Sequence, residues 1–412
     1  MKILISHPTS NECNRAATYG LLEAGMLARF HTSVATFPGD VLEKLSSAGP
    51  FTALSRRSLN KKLKPFTSTW PWMEIGRQVA LKAGLKSLVK HEKGLLSVDS
   101  VYQNFDRRVA ADLIKSKLHG TAAIYAYQDG ALHSFRKAKT LGIKCFYDLP
   151  IGHWRTARNL LKIEQERWPD WTPTLTGLMD SDIKLARQDE ELRLADQIFV
   201  ASRFTADTLK DFPGILSPIQ VVPFGFPETA KNREYHKAGS RPLKLLFVGG
   251  LSQRKGLADL FAAVESFGKH VELTIVGLKT TNECRPLNEA LAKHKWIPTL
   301  PHQQVLELMQ KNDVLVFPSL FEGFGLVITE AMSQGMPVIT TERTAGPDLI
   351  THDHDGWLIK AGSTIALQEA IEQLLIHPEK LAYAGIEAMQ TAIKRPWEVY
   401  KKELTEIISK SL

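Results

Sequence analysis

Short, almost wholly apolar runs recur along the chain, each followed by a longer stretch whose apolar residues return every three or four positions. KILIS (2–6), TAAIYAY (121–127), KCFYD (144–148) and DQIFVAS (196–202) are such runs in the first half. The second half repeats them more tightly, in LKLLFVGG (243–250), VELTIVG (271–277), DVLVFPS (313–319) and PVITT (337–341). A strand apolar on both alternating faces is covered on both sides, and strands that alternate with helices predict an α/β protein with parallel sheets. LADLFAAVESF and LVITEAMSQ supply intervening helices, the second stopped by Gly335 and Pro337. PFGFPETAKNREYHKAGSRP (223–242) is rich in Pro, Gly and charge and has no period, which predicts a linker. The expected organisation is a Rossmann-like domain over 1–222, a linker over 223–242, a second Rossmann-like domain over 243–394 and a C-terminal helix over 395–412. Two such sheets place a cleft between the carboxyl ends of their strands, where open α/β sheets bind ligands.

The 412 residues, 43% hydrophobic and 23% charged, suit a globular protein of two domains. No basic segment followed by an apolar one opens the chain, and no run of about eighteen apolar residues occurs. Three scattered cysteines, Cys13, Cys145 and Cys284, form no metal or redox spacing. The expected location is therefore cytoplasmic, with peripheral contact at the inner face of a membrane as an extension. The net charge of +8 concentrates between Ser55 and Leu95, where ten lysines and arginines face two glutamates. There Leu81, Leu85, Leu88 and Val89 read as an apolar stripe beside Lys82, Lys86, Lys90 and Lys93, after Trp70 and Trp72. Three readings stay open: a helix lying on an anionic membrane, the solvated face of a packed helix, or a pocket for an anionic acceptor. SRRSLNKK (55–62) alone resembles a nucleic-acid patch, and nothing else supports nucleic acid as a partner.

The chemistry concentrates in PSLFEGFGLVITEAMSQGMPVIT (318–340), where Glu322 and Glu330 flank a Gly-Phe-Gly loop. That loop leaves a buried strand and enters a helix near Leu326, so Gly323 and Gly325 permit close backbone approach and the first helical amides favour an anion. Glu330, on the helix, suits the hydroxyls of a ribose. A second loop, LSQRKG, sets Arg254 and Lys255 beside a helix start, where a diphosphate fits well. It is neither a P-loop nor a dinucleotide fingerprint. A solvated turn is the plainer reading of Arg254 and Lys255. Two aspartate triplets, Asp180–Asp182 and Asp353–Asp355, read as surface loops, and no metal and no other cofactor is expected.

At these residues the chain resembles glycosyltransferase family 4. FVGGLSQRKG, LPHQQVLELMQKNDVLVFPSLFEGFGLVITEAMSQGMPVITT and AGPDLI carry the resemblance, which is strong over 190–360. It implies the GT-B arrangement of two Rossmann-like domains, with the C-terminal helix crossing back to the first. It also implies a hexosyltransferase that moves a sugar, with retention and without a metal, from a nucleotide-sugar donor to a glycan, lipid-linked or small-molecule acceptor. By the same resemblance Arg254 and Lys255 hold the diphosphate, Glu330 the ribose, and Glu322 with the Gly323–Phe324–Gly325 backbone lies near the donor sugar. The family's glycine-rich first loop is replaced by SHPTSNECNRAATYG, in which Asn11 and Asn14 are candidates for the missing contacts. Its usual Arg after Val-Gly is Gly250. Its histidine at a first-domain strand end has His153 as the best match, with His7 and His133 as rivals. Two alternatives remain: a nucleotide-sugar epimerase on the same fold, or a catalytically idle nucleotide-sugar-binding protein.

Overall fold

The structure, a computed structural model, describes residues 1–40, 57–235 and 241–412. Arg56 of the basic segment and residues 236–240 of the expected linker lie outside the described residues. The first sheet joins seven parallel strands: β1 (Lys2–Ser6), β2 (Leu27–Thr32), β3 (Thr67–Thr69), β4 (Thr121–Tyr127), β5 (Lys144–Leu149), β6 (Gln197–Val200) and β7 (Ile219–Val221). Their order is β3-β2-β1-β4-β5-β6-β7. The second joins six: β8 (Leu243–Val248), β9 (Val271–Val276), β10 (Lys295–Ile297), β11 (Val314–Phe317), β12 (Val338–Thr341) and β13 (Gly356–Ile359), in the order β10-β9-β8-β11-β12-β13. The α/β class and the two Rossmann-like sheets expected from the apolar runs are thus present. Strand order reverses at β1/β4 and at β8/β11, and a crevice opens at the carboxyl ends beside such a reversal.

Burial explains which strands were legible. Leu245, Phe247, Leu315, Phe317 and Ile339 are fully or almost fully buried, so their strands read as continuous apolar runs. β2 carries Arg29 and His31, and β3 and β10 are three-residue edge strands, so no comparable run marks them.

Three of the ties between the two halves bear on the site. The helix Trp154–Arg167 and the turns after it belong to the first half of the chain but pack on the second sheet's helices. Trp171 stacks on Phe261 with centroids 6.0 Å apart. Arg167 bridges Glu164 at 2.6 Å and Asp259 at 2.8 Å, and Gln253 Nε2 donates to Glu164 at 2.9 Å. The C-terminal helix Trp397–Ser411 crosses back, as expected, onto the helix Glu12–Glu23. A Cβ at Gly20 would sit 3.1 Å from the Lys401 carbonyl oxygen, so the glycine lets the two helices cross closely. Lys144 Nζ donates to the Ser411 carbonyl at 2.7 Å. The third tie is the pair of loops that form the site described below.

Two sequence expectations are corrected here. The stripe Leu81–Val89 is not one helix: the helix Trp72–Lys82 ends, Gly84 adopts φ +69°, and residues 83–97 run in turns. The second aspartate triplet is not wholly a surface loop, because Asp355 is buried, accepting from the Thr391 hydroxyl at 2.7 Å and the Thr351 amide at 2.8 Å.

Candidate functional site

The loop after β8 turns through Gln253–Lys255 into the helix Leu257–Glu265, and the loop after β11 turns through Gly325 into the helix Leu326–Ser333. Both lie at the carboxyl edge of the second sheet. Gly256 makes the first turn feasible: it sits at φ +72°, and a Cβ there would fall 2.1 Å from the Pro318 carbonyl oxygen. Ser252 caps that turn by accepting from the Arg254 amide at 3.2 Å.

These loops bring Arg254, Lys255 and Glu322 together. Lys255 Nζ is in direct contact with the Glu322 carboxylate, and Arg254 Nη1 reaches it at 3.3 Å while donating to the Phe321 carbonyl at 2.6 Å. Lys255 also lies over the Phe317 ring, 4.8 Å from its centroid. Their side chains retain only 28, 10 and 14% exposure, respectively. Among the described residues these two largely buried cations share one carboxylate, which leaves one positive charge uncompensated. Burial pulls Arg254 down to about 10, and burial together with Arg254 pulls Lys255 well below its ordinary value. The Glu322 carboxylate in contact with Lys255 favours its charged form and so opposes that trend. Such a site gains from an added anion, since a lone desolvated charge is costly and a paired one is not.

Glu330 stands on the next helix and is held by His302, whose Nε2 lies 3.0 Å from Glu330 Oε1. Hydrogen bonding to Glu330 raises the His302 pKa. From the first domain, Glu12 at the start of the helix Glu12–Glu23 faces the same place: burial first, then the Glu330 charge, raises its pKa. Glu12, on the first-domain side, is thus near enough to Glu330 and His302 for its carboxyl to feel both charges. Neither His302 nor Glu12 carries a sequence signal, because their nearness is created only by the docking of two domains.

The remaining expected site residues divide. Gly250 is exposed at the end of β8 with nothing within 4 Å of a built Cβ, so a ligand has room there. Gly325 adopts φ +87° at the helix start, where a Cβ would also meet the Phe317 ring at 3.0 Å. Gly323 is bare for a different reason than ligand approach: a Cβ there would lie 1.9 Å from the Pro150 carbonyl oxygen of the first domain. Its own carbonyl accepts from the Ser202 hydroxyl at 2.6 Å and the Thr205 hydroxyl at 2.9 Å. The Phe324 side chain lies in the core, buried against Phe224 with centroids 4.9 Å apart, so what Phe324 offers a ligand is its backbone.

His153 is 2% exposed, with Nε2 3.1 Å from Asp189 Oδ1 and its amide donating to the Thr208 hydroxyl at 2.8 Å. It offers no open face to the crevice, although the neighbouring Gly152 packs directly on the Phe321 ring. Asn11 caps the helix Glu12–Glu23 by accepting from the Asn14 amide at 2.8 Å, and Asn14 is fully buried beside Tyr127. In place of a glycine-rich loop, His7 Nδ1 accepts from the Thr9 and Ser10 amides at 3.0 and 3.1 Å. Burial and Arg57 hold His7 down to about 3, which keeps that nitrogen an acceptor. Lys82, Lys86 and Lys90 are exposed in and after the helix Trp72–Lys82, apart from the residues above.

Residues 228–391 match the family described as Glycosyl transferases group 1. The amylovoran biosynthesis glycosyltransferase AmsK of Erwinia amylovora is 28% identical over 172 residues, 38% of this chain and 42% of that one. The capsular polysaccharide biosynthesis glycosyltransferase CapM of Staphylococcus aureus is 29% identical over 175 residues, 39% and 44% of the two chains. The matched part thus spans less than half the length of either relative. Among solved structures, a sucrose-phosphate synthase from Thermosynechococcus elongatus superposes with a TM-score of 0.67 at 17% identity, covering 100% of this chain and 98% of that one. HepE of Anabaena, in complex with UDP, superposes with a TM-score of 0.63 at 16% identity over the whole of both chains. The fold is accordingly GT-B, and Arg254, Lys255, Glu322 and Glu330 all lie within the segment 228–391 that matches the glycosyl transferases group 1 family.

Proposed function

We propose that this protein is a glycosyltransferase of the family 4 type, moving a sugar from a nucleoside-diphosphate donor to an acceptor hydroxyl with retention of configuration. The observation that carries the reading is the pair of desolvated cations, Arg254 and Lys255, closed on the single carboxylate of Glu322. A diphosphate entering at the start of the helix Leu257–Glu265 would replace that carboxylate as the cations' partner and release Glu322 toward the sugar. Glu330, drawn from His302, would then accept the ribose hydroxyls.

During transfer the bond between the anomeric carbon and the terminal phosphate oxygen breaks, and its electrons go to the diphosphate. The acceptor oxygen forms the new bond on the same face, and its proton passes to the departing phosphate. Arg254 and Lys255 stabilise the developing charge, a task fixed cations perform without a metal. His153 would act by positioning: with Asp189 it fixes the turn 150–153 that packs on Phe321. A glycan, a lipid-linked sugar or a small molecule would each serve as acceptor on the first-domain side.

The structural neighbours' complexes with UDP and UDP-glucose make UDP the first nucleotide, and a UDP-sugar the first donor, to try. Calorimetric titration with UDP, GDP, ADP and CDP, with and without chelator, tests the reading. Selective binding that survives chelation supports it, and no binding of any of the four overturns it.

A further inference from the structure

Residues 72–98 form a small lobe that the donor site does not use. Trp72, Gly76 and Val79 fall on one face of the helix Trp72–Lys82, being four and seven positions apart. The chain then doubles back: Leu96 donates its amide to the Leu88 carbonyl at 2.8 Å and lays its side chain over Gly76, 3.3 Å from where a Cβ would stand. That return places Leu95 beside the same helix. Trp72 is 69% exposed, Val79 56% and Leu95 71%, with Leu81, Leu85 and Val98 also open. Leu81 stands on the opposite face of the helix, so the open apolar side of the lobe is that of Trp72 and Val79, with Leu95 following on the returning chain. Open side chains of this size are more than a surface that only meets water needs.

The charges around it are one-sided. Lys82, Lys86, Lys90 and Lys93 are exposed, and their ammonium groups have no carboxylate partner among the described residues. The lobe's acidic groups are all engaged elsewhere. Glu74 is buried between Arg77 at 2.8 Å and Arg57 at 3.4 Å, Glu92 accepts from the Ser181 amide at 3.0 Å, and Asp99 is closed on Arg187. Apolar side chains led by a tryptophan, with free lysines around them, match the boundary between lipid chains and anionic headgroups. No helix among the described residues is long and apolar enough to cross a membrane, so contact through this lobe would be peripheral.

We propose that the lobe formed by Trp72, Val79, Leu95 and the four lysines docks the protein on an anionic phospholipid surface. The inference does not depend on the transferase reading, because docking is measured without donor or acceptor. The test is co-sedimentation of the full chain with vesicles of phosphatidylcholine alone and of phosphatidylcholine with phosphatidylglycerol. Binding is expected only to the anionic vesicles and is expected to weaken as salt rises. A lysine near an anionic surface contributes about fivefold in affinity, so replacing all four with Gln should weaken binding on the order of several hundredfold. Trp72→Ala should also weaken it, and the fluorescence change on adding vesicles should shrink with it. All these positions are exposed, so unchanged melting temperatures establish that the variants fold. Absence of binding to either vesicle, or undiminished binding by the lysine variant, overturns the proposal. So does self-association that Trp72→Ala abolishes in a protein that ignores vesicles, since the lobe would then meet a second copy.

Discussion

The carbonyl of Gly323 accepts a hydrogen bond from the Ser202 hydroxyl at 2.6 Å, so the loop that carries Glu322 is bolted to the opposite domain. The glycine beside the acidic residue, which in sequence looks like room for a ligand, is where the two domains touch. Gly323→Ala should therefore act on domain docking. A Cβ would fall 1.9 Å from the Pro150 carbonyl oxygen, a backbone clash with no flexible side chain to yield. The expected cost is at or above the roughly 3 kcal/mol upper end of overpacking. A melting temperature within a degree or two of wild type would show that the contact contributes little.

Glu322 and Lys255 should separate under mutation. Lys255→Met removes a cation from the diphosphate position, and a charge-assisted contact of about 1.5–3 kcal/mol corresponds to roughly 10- to 150-fold weaker UDP binding. Glu322→Gln removes the competing anion, so UDP binding should hold or tighten while transfer is lost. Calorimetry beside a turnover assay distinguishes the two. Parallel loss of binding and turnover in Glu322→Gln would contradict the exchange of carboxylate for diphosphate.

Phe324 lies between the donor residues in sequence and inside the core in space. Phe324→Ala should cost about 3–5 kcal/mol of stability, read as a lower denaturation midpoint. UDP affinity of the folded fraction should stay near wild type. A specific drop in UDP affinity without destabilisation would give the Phe324 side chain a part in the site.

Asp148 gives the protein a pH signature. It is buried at the end of β5, and burial pushes it from 3.8 up to about 7, with the Tyr125 hydroxyl at 2.6 Å acting the other way. Between about pH 4 and 7 the folded protein keeps a proton that the unfolded chain releases. Stability contributed by this group is therefore lost as pH rises through that window, by up to about 1.4 kcal/mol per pH unit. Glu191, pushed up to about 8 by burial and by Asp129 and Asp106, adds a slope of the same sign. Asp148→Asn, which cannot ionise, should flatten the dependence of urea stability on pH. An unchanged slope would mean that Asp148 is already ionised in the folded protein.

Chelation should leave turnover intact, because Arg254 and Lys255 are proposed to neutralise the departing diphosphate themselves. Activity that disappears with EDTA and returns with a divalent cation would assign that charge to a metal.

The apolar runs by themselves determined the two parallel sheets, because strands buried on both faces admit few polar residues along their length. They also located the turns after β8 and β11, since Gly256 and Gly325 occupy backbone conformations that side chains strain. Arg254, Lys255 and Glu322 could be named from those loops, but not their contact. Ion pairs between residues nearly seventy positions apart leave no periodic trace. Tertiary structure alone decided that Gly323 serves the domain contact, that Phe324 and His153 are buried, and that His302 holds Glu330 opposite Glu12. It also broke the lysine-rich stripe into a helix that stops before a left-handed Gly84 and a returning turn that packs Leu96 on Gly76. Periodicity records which face of an element is buried; the partner on that face is set by how distant segments dock.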